Sequence, residues 1–338
     1  MRAVGYQSSL PIQDPLSLVD IELPKPVAAG RDLLVSVEAV SVNPVDTKVR
    51  KRAAPAAGEW KVLGWDAVGT VAAVGPEVTR FRPGERVFYA GALDRPGTDA
   101  EFHLVDERIV GRSPASLSVA EAAALPLTAI TAWETLFDRL DVRRAVPGAA
   151  QAVLIVGGAG GVGSIAIQLV RQLTDLTVIA TASRPDTQDW CRALGAHHVV
   201  DHSRPLAAEV AALGLGAPGF VFSTTNTDKH LAEIAALIAP QGRFALIDDP
   251  GGLDISLFKQ KSASIHWEFM FTRPVFATPD MGEQGKLLDE VARLVDAGTL
   301  RTTLGETLGR IDAATLRRAH EVIESGRAKG KLVLEGWG

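Results

Sequence analysis

Three glycines, Gly158, Gly160 and Gly163, stand at G-x-G-x-x-G spacing, which is a pattern for holding a phosphate. In such a turn the first glycine permits the tight bend and the second lets a pyrophosphate approach the backbone. The third lets a helix pack close to its strand. The flanking residues agree with that use. Val153-Leu154-Ile155-Val156 reads as a buried strand, and Ser164-Ile165-Ala166-Ile167-Gln168 as a helix. The helix N-terminus turns free N–H groups and a positive dipole end toward the phosphates.

The next strand, Thr177 to Thr181, bears on which dinucleotide is held. A fold that selects NADH places an acidic residue at the end of this strand for the ribose 2′-hydroxyl. Here the chain reads Ala182-Ser183-Arg184, and the first carboxylate is Asp186. A carboxylate would repel a 2′-phosphate, whereas Ser183 and Arg184 would hold it by hydrogen bond and charge. The sequence therefore points to NADPH, with an ordinary solvated loop charge as the plainer account of Arg184.

These groups need a scaffold, and the rest of the chain supplies two kinds. Residues 126–271 alternate strand and helix, with strands at His198–Val200, Gly219–Phe222 and Arg243–Ile247 and helices between them. Such alternation predicts a doubly wound parallel sheet with ligands at the carboxyl ends of its strands. That places Thr224, Thr225 and Ile247 on the rim. Residues 1–125 read as short strands joined by Gly and Pro turns, as in Leu33–Val40, Gly69–Gly75 and Arg82-Pro83-Gly84-Glu85, and predict a β-rich barrel. Residues 272–338 carry two amphipathic helices, near 284–296 and 313–324, and one short strand at Lys331–Leu334. These are too few for a sheet of their own and are expected to return to the first zone.

Composition excludes several classes. The chain has 338 residues, 46% hydrophobic and 22% charged, which suits two folded domains and not a disordered chain. A net charge of −5 argues against a nucleic-acid backbone as partner. Charges and prolines interrupt every apolar run before it could span a bilayer, and Met1–Ser9 lacks a signal-peptide core. The single cysteine, Cys191, rules out an internal disulfide. The expected location is the cytoplasm.

The whole chain resembles the medium-chain dehydrogenase/reductase superfamily, and most closely its zinc-free quinone oxidoreductase branch. The resemblance rests on Gly160-Gly161-Val162-Gly163-Ser164 with Gln168 and Arg171. It rests also on Ser41-Val42-Asn43-Pro44-Val45-Asp46, on Leu125-Pro126-Leu127-Thr128 through Trp133, and on Gly330-Lys331. Through His266–Thr272 the chain is also similar to bacterial proteins labelled zinc-type alcohol dehydrogenase-like. The resemblance implies a Rossmann domain plus a GroES-like β-rich barrel domain, and a homodimer. It adds Gly161, Val162 and Lys331 to the cofactor-binding set, and His202 stacked near the adenosine. It places Asn43 and Asp46 beside the nicotinamide, with Trp65, Thr128 and Phe271 near. A tyrosine common two residues after that aspartate in quinone oxidoreductases is here Lys48.

Zinc chemistry requires ligands that this sequence does not offer. A catalytic zinc takes cysteine and histidine, and a structural zinc four cysteines. Where zinc enzymes carry Gly-His-Glu this chain reads Gly64-Trp65-Asp66, and Asn43 to Asp46 stand where the first cysteine ligand belongs. His197, His198 and His202 lie close in sequence, but strand neighbours point to opposite faces, and residues four apart are about 13 Å apart. No metal is expected.

Without a Lewis acid, the preferred acceptor is one that spreads negative charge itself, a quinone or an α,β-unsaturated carbonyl. The protein then positions the acceptor and offers a hydrogen bond to the developing oxyanion. Asn43, Asp46, Lys48 and Thr128 are the candidate groups. Plainer accounts stand beside each. Asn43–Asp46 fits a helix cap as well as a site. Trp65 fits either a core aromatic or a wall of the substrate site. Lys48 with Arg50, Lys51 and Arg52 reads as a solvated basic loop. Phe269 and Phe271 fit a cleft or a subunit interface. The leading expectation is an NADPH-dependent quinone or enone reductase. A zinc-independent alcohol or aldehyde dehydrogenase and a non-catalytic NADPH-binding protein are the alternatives.

Overall fold

The structure is a computed structural model describing residues 1–337. It divides into two compact units, Thr131–Met270 and a second formed by Met1–Ile130 with Phe271–Gly338.

The Thr131–Met270 unit is built on six parallel strands. Across the sheet they run His198–Val200, Thr177–Thr181, Ala150–Val156, Pro218–Ser223, Arg243–Leu246 and Ser264–Trp267. Chain order reverses on either side of Ala150–Val156. That reversal is the switch point where an open parallel sheet leaves room for a ligand. Val153 to Val156 are all buried, as a strand covered on both faces requires. Leu154, Val156, Ile179, Val221 and Phe244 form one apolar cluster with Leu231 and Ile234 of the helix Thr227–Leu237. The parallel sheet confirms the fold class expected from strand-helix alternation.

The other unit holds a seven-stranded mixed sheet and a three-stranded antiparallel one. The long strand Asp32–Val42 organises the larger sheet. It pairs antiparallel with Ala67–Val74, Phe102–Asp106 and Lys331–Trp337. The C-terminal segment contains two strands, not the one expected, because Leu304–Ile311 runs parallel to Lys331–Trp337. Most of Leu304–Ile311 is solvent-facing, so no apolar alternation marked it.

The basic run after Asp46 is also corrected. Residues Pro44–Arg52 form a helix, not a solvated loop. Proline at its first position, Asp46 in the first turn and Arg50, Lys51 and Arg52 in the last all suit the helix dipole. Arg50 is fully buried. It pairs with Glu324 at 2.5 Å and donates to the Leu10 carbonyl.

Candidate active site

In the Thr131–Met270 unit the glycine turn joins the strand Ala150–Val156 to the helix Gly161–Leu173. The tight bend falls on Gly157, at φ +80°, not on Gly158 as the spacing suggested. Gly158 serves close packing instead: a Cβ there would lie 2.9 Å from the Ala180 side chain and 3.1 Å from Cys191 Sγ. Gly163 has the expected role, since a Cβ would come within 2.3 Å of the Gly157 carbonyl oxygen. Gly160 caps the helix, and a Cβ on it would meet only the Gly157 oxygen, at 3.6 Å. That opening, beside the first N–H groups of Gly161, Val162 and Gly163, forms a cradle of the kind that could accept an anion. Thr224 and Thr225 border the turn. A Cβ on Gly157 would meet their side chains, and Thr224 Oγ1 donates to the Val156 carbonyl at 2.8 Å. Ile247 follows directly on the strand Arg243–Leu246 and is half-buried.

The end of the strand Thr177–Thr181 carries further polar groups. Thr181 Oγ1 receives the Gly157 N–H at 3.0 Å and lies 2.8 Å from His202 Nδ1, tying the turn to the segment after the strand His198–Val200. Ser183 and Arg184 are exposed immediately after, with Arg184 Nε 3.4 Å from Asp186 Oδ1. His202 and His230 lie with ring centroids 6.1 Å apart. Burial lowers the basicity of both imidazoles, and the Arg184 charge adds to this at His202.

The other unit contains a buried polar network. Asp66, closed to solvent, accepts at Oδ2 from Ser41 Oγ (2.8 Å), Asn43 Nδ2 (2.8 Å) and Lys331 Nζ (3.1 Å), and at Oδ1 from the Leu127 N–H (2.7 Å). Lys331 also donates to Asn43 Oδ1 and to the Val42 carbonyl. Asp46 Oδ2 accepts the Asn43 backbone N–H at 2.7 Å, the hydrogen bond of a helix cap. Burial pushes the Asp46 carboxyl up to about 7, while that N–H and the Lys331 charge pull it down. Asp99 is buried too, and desolvation, with Asp46 nearby, raises its carboxyl well above the usual range. Burial likewise raises Asp66, against the Lys331 ammonium and its hydrogen-bond donors.

The network brings together Asn43, Asp46 and Lys331 of the residues expected from sequence and joins Asp66 and Ser41 to them, with Asp99 close to Asp46. Trp65, the neighbour of Asp66, is buried. Its Nε1 donates to the Ala92 carbonyl at 3.2 Å, and its ring meets Phe271 edge-on at 6.1 Å. Thr128 is buried, with Oγ1 donating to the Leu125 carbonyl at 3.1 Å. Lys48 lies half-buried on the helix Pro44–Arg52. Phe269 is exposed, unlike Phe271. Asp66 is the main residue that sequence reasoning passed over. Its signal was an acidic residue in an otherwise apolar stretch, Val62 to Val68, where a carboxylate is unexpected without partners.

Comparison with known proteins agrees with this architecture. Residues 29–124 match the alcohol dehydrogenase GroES-like domain family and residues 194–334 the zinc-binding dehydrogenase family. A zinc-type alcohol dehydrogenase-like protein of Staphylococcus aureus is 38% identical over 99% of both chains. A Rhizobium etli protein, described as a candidate zinc-dependent alcohol dehydrogenase, has a similar structure with a TM-score of 0.98. It is 70% identical, over 100% of this chain and 98% of its own. The quinone oxidoreductase of Coxiella burnetii superposes with a TM-score of 0.80 at 26% identity, covering 99% of each chain.

Proposed function

Since the chain belongs to the medium-chain dehydrogenase/reductase superfamily, we propose that it is an NADPH-dependent reductase of quinones or α,β-unsaturated carbonyls. The observation that carries the reading is the glycine cradle followed, at the end of the strand Thr177–Thr181, by exposed Ser183 and Arg184 in place of a carboxylate. The backbone N–H groups of Gly161 to Gly163 would hold the pyrophosphate, and Ser183 and Arg184 the 2′-phosphate. His202, tied to Thr181, would face the adenosine. The cofactor supplies a hydride; the chain orients the acceptor, excludes water and furnishes a proton.

Zinc fits these residues poorly. Both oxygens of Asp66 are engaged by N–H and O–H donors, and the Lys331 ammonium already holds the position a cation would take. Among the described residues no group of three His, Cys, Asp or Glu is placed to hold a metal ion. Cys191 is buried in the other unit, its thiol pushed up to about 12 by burial. A conjugated acceptor, which holds its own negative charge, therefore suits the site better than an alcohol, whose oxidation relies on a Lewis acid.

The reading extends to a cytoplasmic homodimer. No helix among the described residues is long and apolar enough to cross a membrane, and the exposed edge strand Ser264–Trp267 offers a surface for a second copy. The test is NADPH oxidation followed at 340 nm with a panel of quinones and enones. Reduction of one class supports the reading. Tight NADPH binding without reduction of any acceptor favours a non-catalytic NADPH-binding protein.

A further inference from the structure

Four segments of the chain meet at one buried ammonium group. Lys331 opens the strand Lys331–Trp337 and is 3% exposed. Its three N–H bonds find three acceptors: Asn43 Oδ1, the Val42 carbonyl at 3.1 Å and Asp66 Oδ2 at 3.1 Å. Asp66 in turn holds Ser41 at the end of the strand Asp32–Val42 and the Leu127 N–H in the first turn of the helix Pro126–Trp133. Asn43 passes the connection on, because its backbone N–H is bound by Asp46 on the helix Pro44–Arg52. The candidate groups Asn43, Asp46, Trp65 and Thr128 thus all lie on, or one residue from, segments joined at the Lys331–Asp66 pair.

The pair also decides which way the Asn43 amide faces. Its Oδ1 receives the Lys331 ammonium, and its Nδ2 donates to Asp66. A flipped amide would set NH₂ against ammonium and oxygen against carboxylate, two repulsions in a water-free interior. With every N–H bond engaged by the protein, Lys331 has none left for a phosphate.

We propose that Lys331 is a positioning residue for the reductase reaction, one that fixes the Asn43 amide and the segments bearing Asp46 and Thr128, and not a ligand of the cofactor. This rests on the reductase reading. It separates from that reading because cofactor binding is measured without turnover.

The test compares Lys331→Met with the double variant Lys331→Met/Asp66→Asn. Removing one partner of a buried pair leaves an uncompensated charge, so the single variant is expected to melt earlier, and the double variant, with both charges gone, to recover much of that loss. In both, kcat with the acceptor that wild type reduces is expected to fall about 100-fold, the scale of a misplaced reacting group. KM and the NADPH dissociation constant, by fluorescence titration, should stay at wild-type values. Two results overturn the proposal. The first is a rise of about tenfold or more in the NADPH dissociation constant of Lys331→Met, as loss of a charged phosphate contact would give. The second is wild-type kcat in the double variant, which would reduce Lys331 to charge balance. A wild type that binds NADPH yet reduces no acceptor refutes the reductase reading, and with it a positioning role in that reaction.

Discussion

Arg139 Nε donates to Glu268 Oε2 at 2.8 Å, and the Glu268 side chain is wholly closed to solvent. Buried Glu134 stands beside it, and its side chain shares a hydrogen bond with Glu268, which a carboxyl pair makes only when one of the two is protonated. Glu134 to Arg139 wind as a π-helix, a rare form that often marks a specialised site. Burial, and then the neighbouring Glu134, raise the Glu268 carboxyl to about 8, and Arg139 opposes them. One carboxylate beside one arginine is tolerable there; a second adjacent negative charge is not.

This arrangement predicts a pH dependence of stability. Glu268 keeps its proton in the folded chain up to about pH 8, whereas in the unfolded chain it ionises near its ordinary value of about 4.3. The folded state binds more protons between those limits, so this group's contribution to stability falls as pH rises through that window. Glu268→Gln, a neutral mimic of the protonated acid, should match wild type near pH 5. Near pH 8 it should be the more stable of the two, because the wild-type loss accumulates at about 1.4 kcal/mol per pH unit across that window. Urea denaturation at the two pH values checks this, and a constant difference between variant and wild type would contradict it.

On the proposed reading, cofactor choice turns on Arg184. The side chain is exposed, with Asp186 3.4 Å away, and Ser183 precedes it. NADPH should bind more tightly than NADH, and Arg184→Glu should remove most of the difference. The loss should be on the order of 10- to 100-fold, about 1.5 to 3 kcal/mol for one charge-assisted hydrogen bond. Fluorescence titration with both nucleotides decides it, and equal dissociation constants in wild type would show that Arg184 is only a solvated charge.

What could be read from the sequence followed the range of its interactions. The parallel sheet was legible because its strands are continuous apolar runs separated by helical stretches, a local signal. The turn glycine was misplaced by one, from Gly157 to Gly158. The motif fixes relative spacing, whereas the positive φ falls on Gly157, where the missing Cβ leaves room for Thr224 and Thr225 from a distant strand end. Leu304–Ile311 was missed because it exposes most of its side chains and is held by backbone pairing with Lys331–Trp337. The Asp66–Lys331 pair spans 265 positions, and no spacing rule connects residues so far apart. Arg50 was read as solvated for the same reason, since its partner Glu324 lies 274 residues away.

The edge of the parallel sheet predicts assembly. Ser264–Trp267 has one hydrogen-bonded neighbour, Arg243–Leu246, and Trp267 and Phe269 are 58% and 48% exposed. An open strand beside exposed aromatics is a surface that pairing with a two-fold mate would cover. Light scattering at micromolar concentration should report a dimer. The double variant Trp267→Glu/Phe269→Glu should shift it toward monomer with little change in melting temperature, because these side chains are not packed in the core. A wild-type monomer at that concentration would refute the assignment.

Catalysis should depend on Asp46 in a pH-specific way. Burial holds its carboxyl near 7, and Asp99 is a second buried acid near it. The Asp46 carboxyl is therefore half-protonated near neutrality, the condition under which an acid both keeps and gives up a proton. Reduction of a quinone or enone needs one proton after the hydride; on the proposed reading Asp46 supplies it, and only in its protonated form. The rate should consequently fall as pH rises above about 7, the value at which burial holds the carboxyl. Asp46→Ala should lower kcat by about 10- to 1,000-fold, the range for losing one positioned proton-transfer group. Asp46→Asn, which keeps the acceptor of the helix cap but carries no acidic proton, should be slow at every pH and lose the inflection near 7. NADPH affinity should be unchanged in both variants, because Asp46 is not among the residues at the phosphate cradle. An Asp46→Asn enzyme that keeps both the wild-type rate and the wild-type pH profile would remove Asp46 from the proton path and leave it as a helix cap alone.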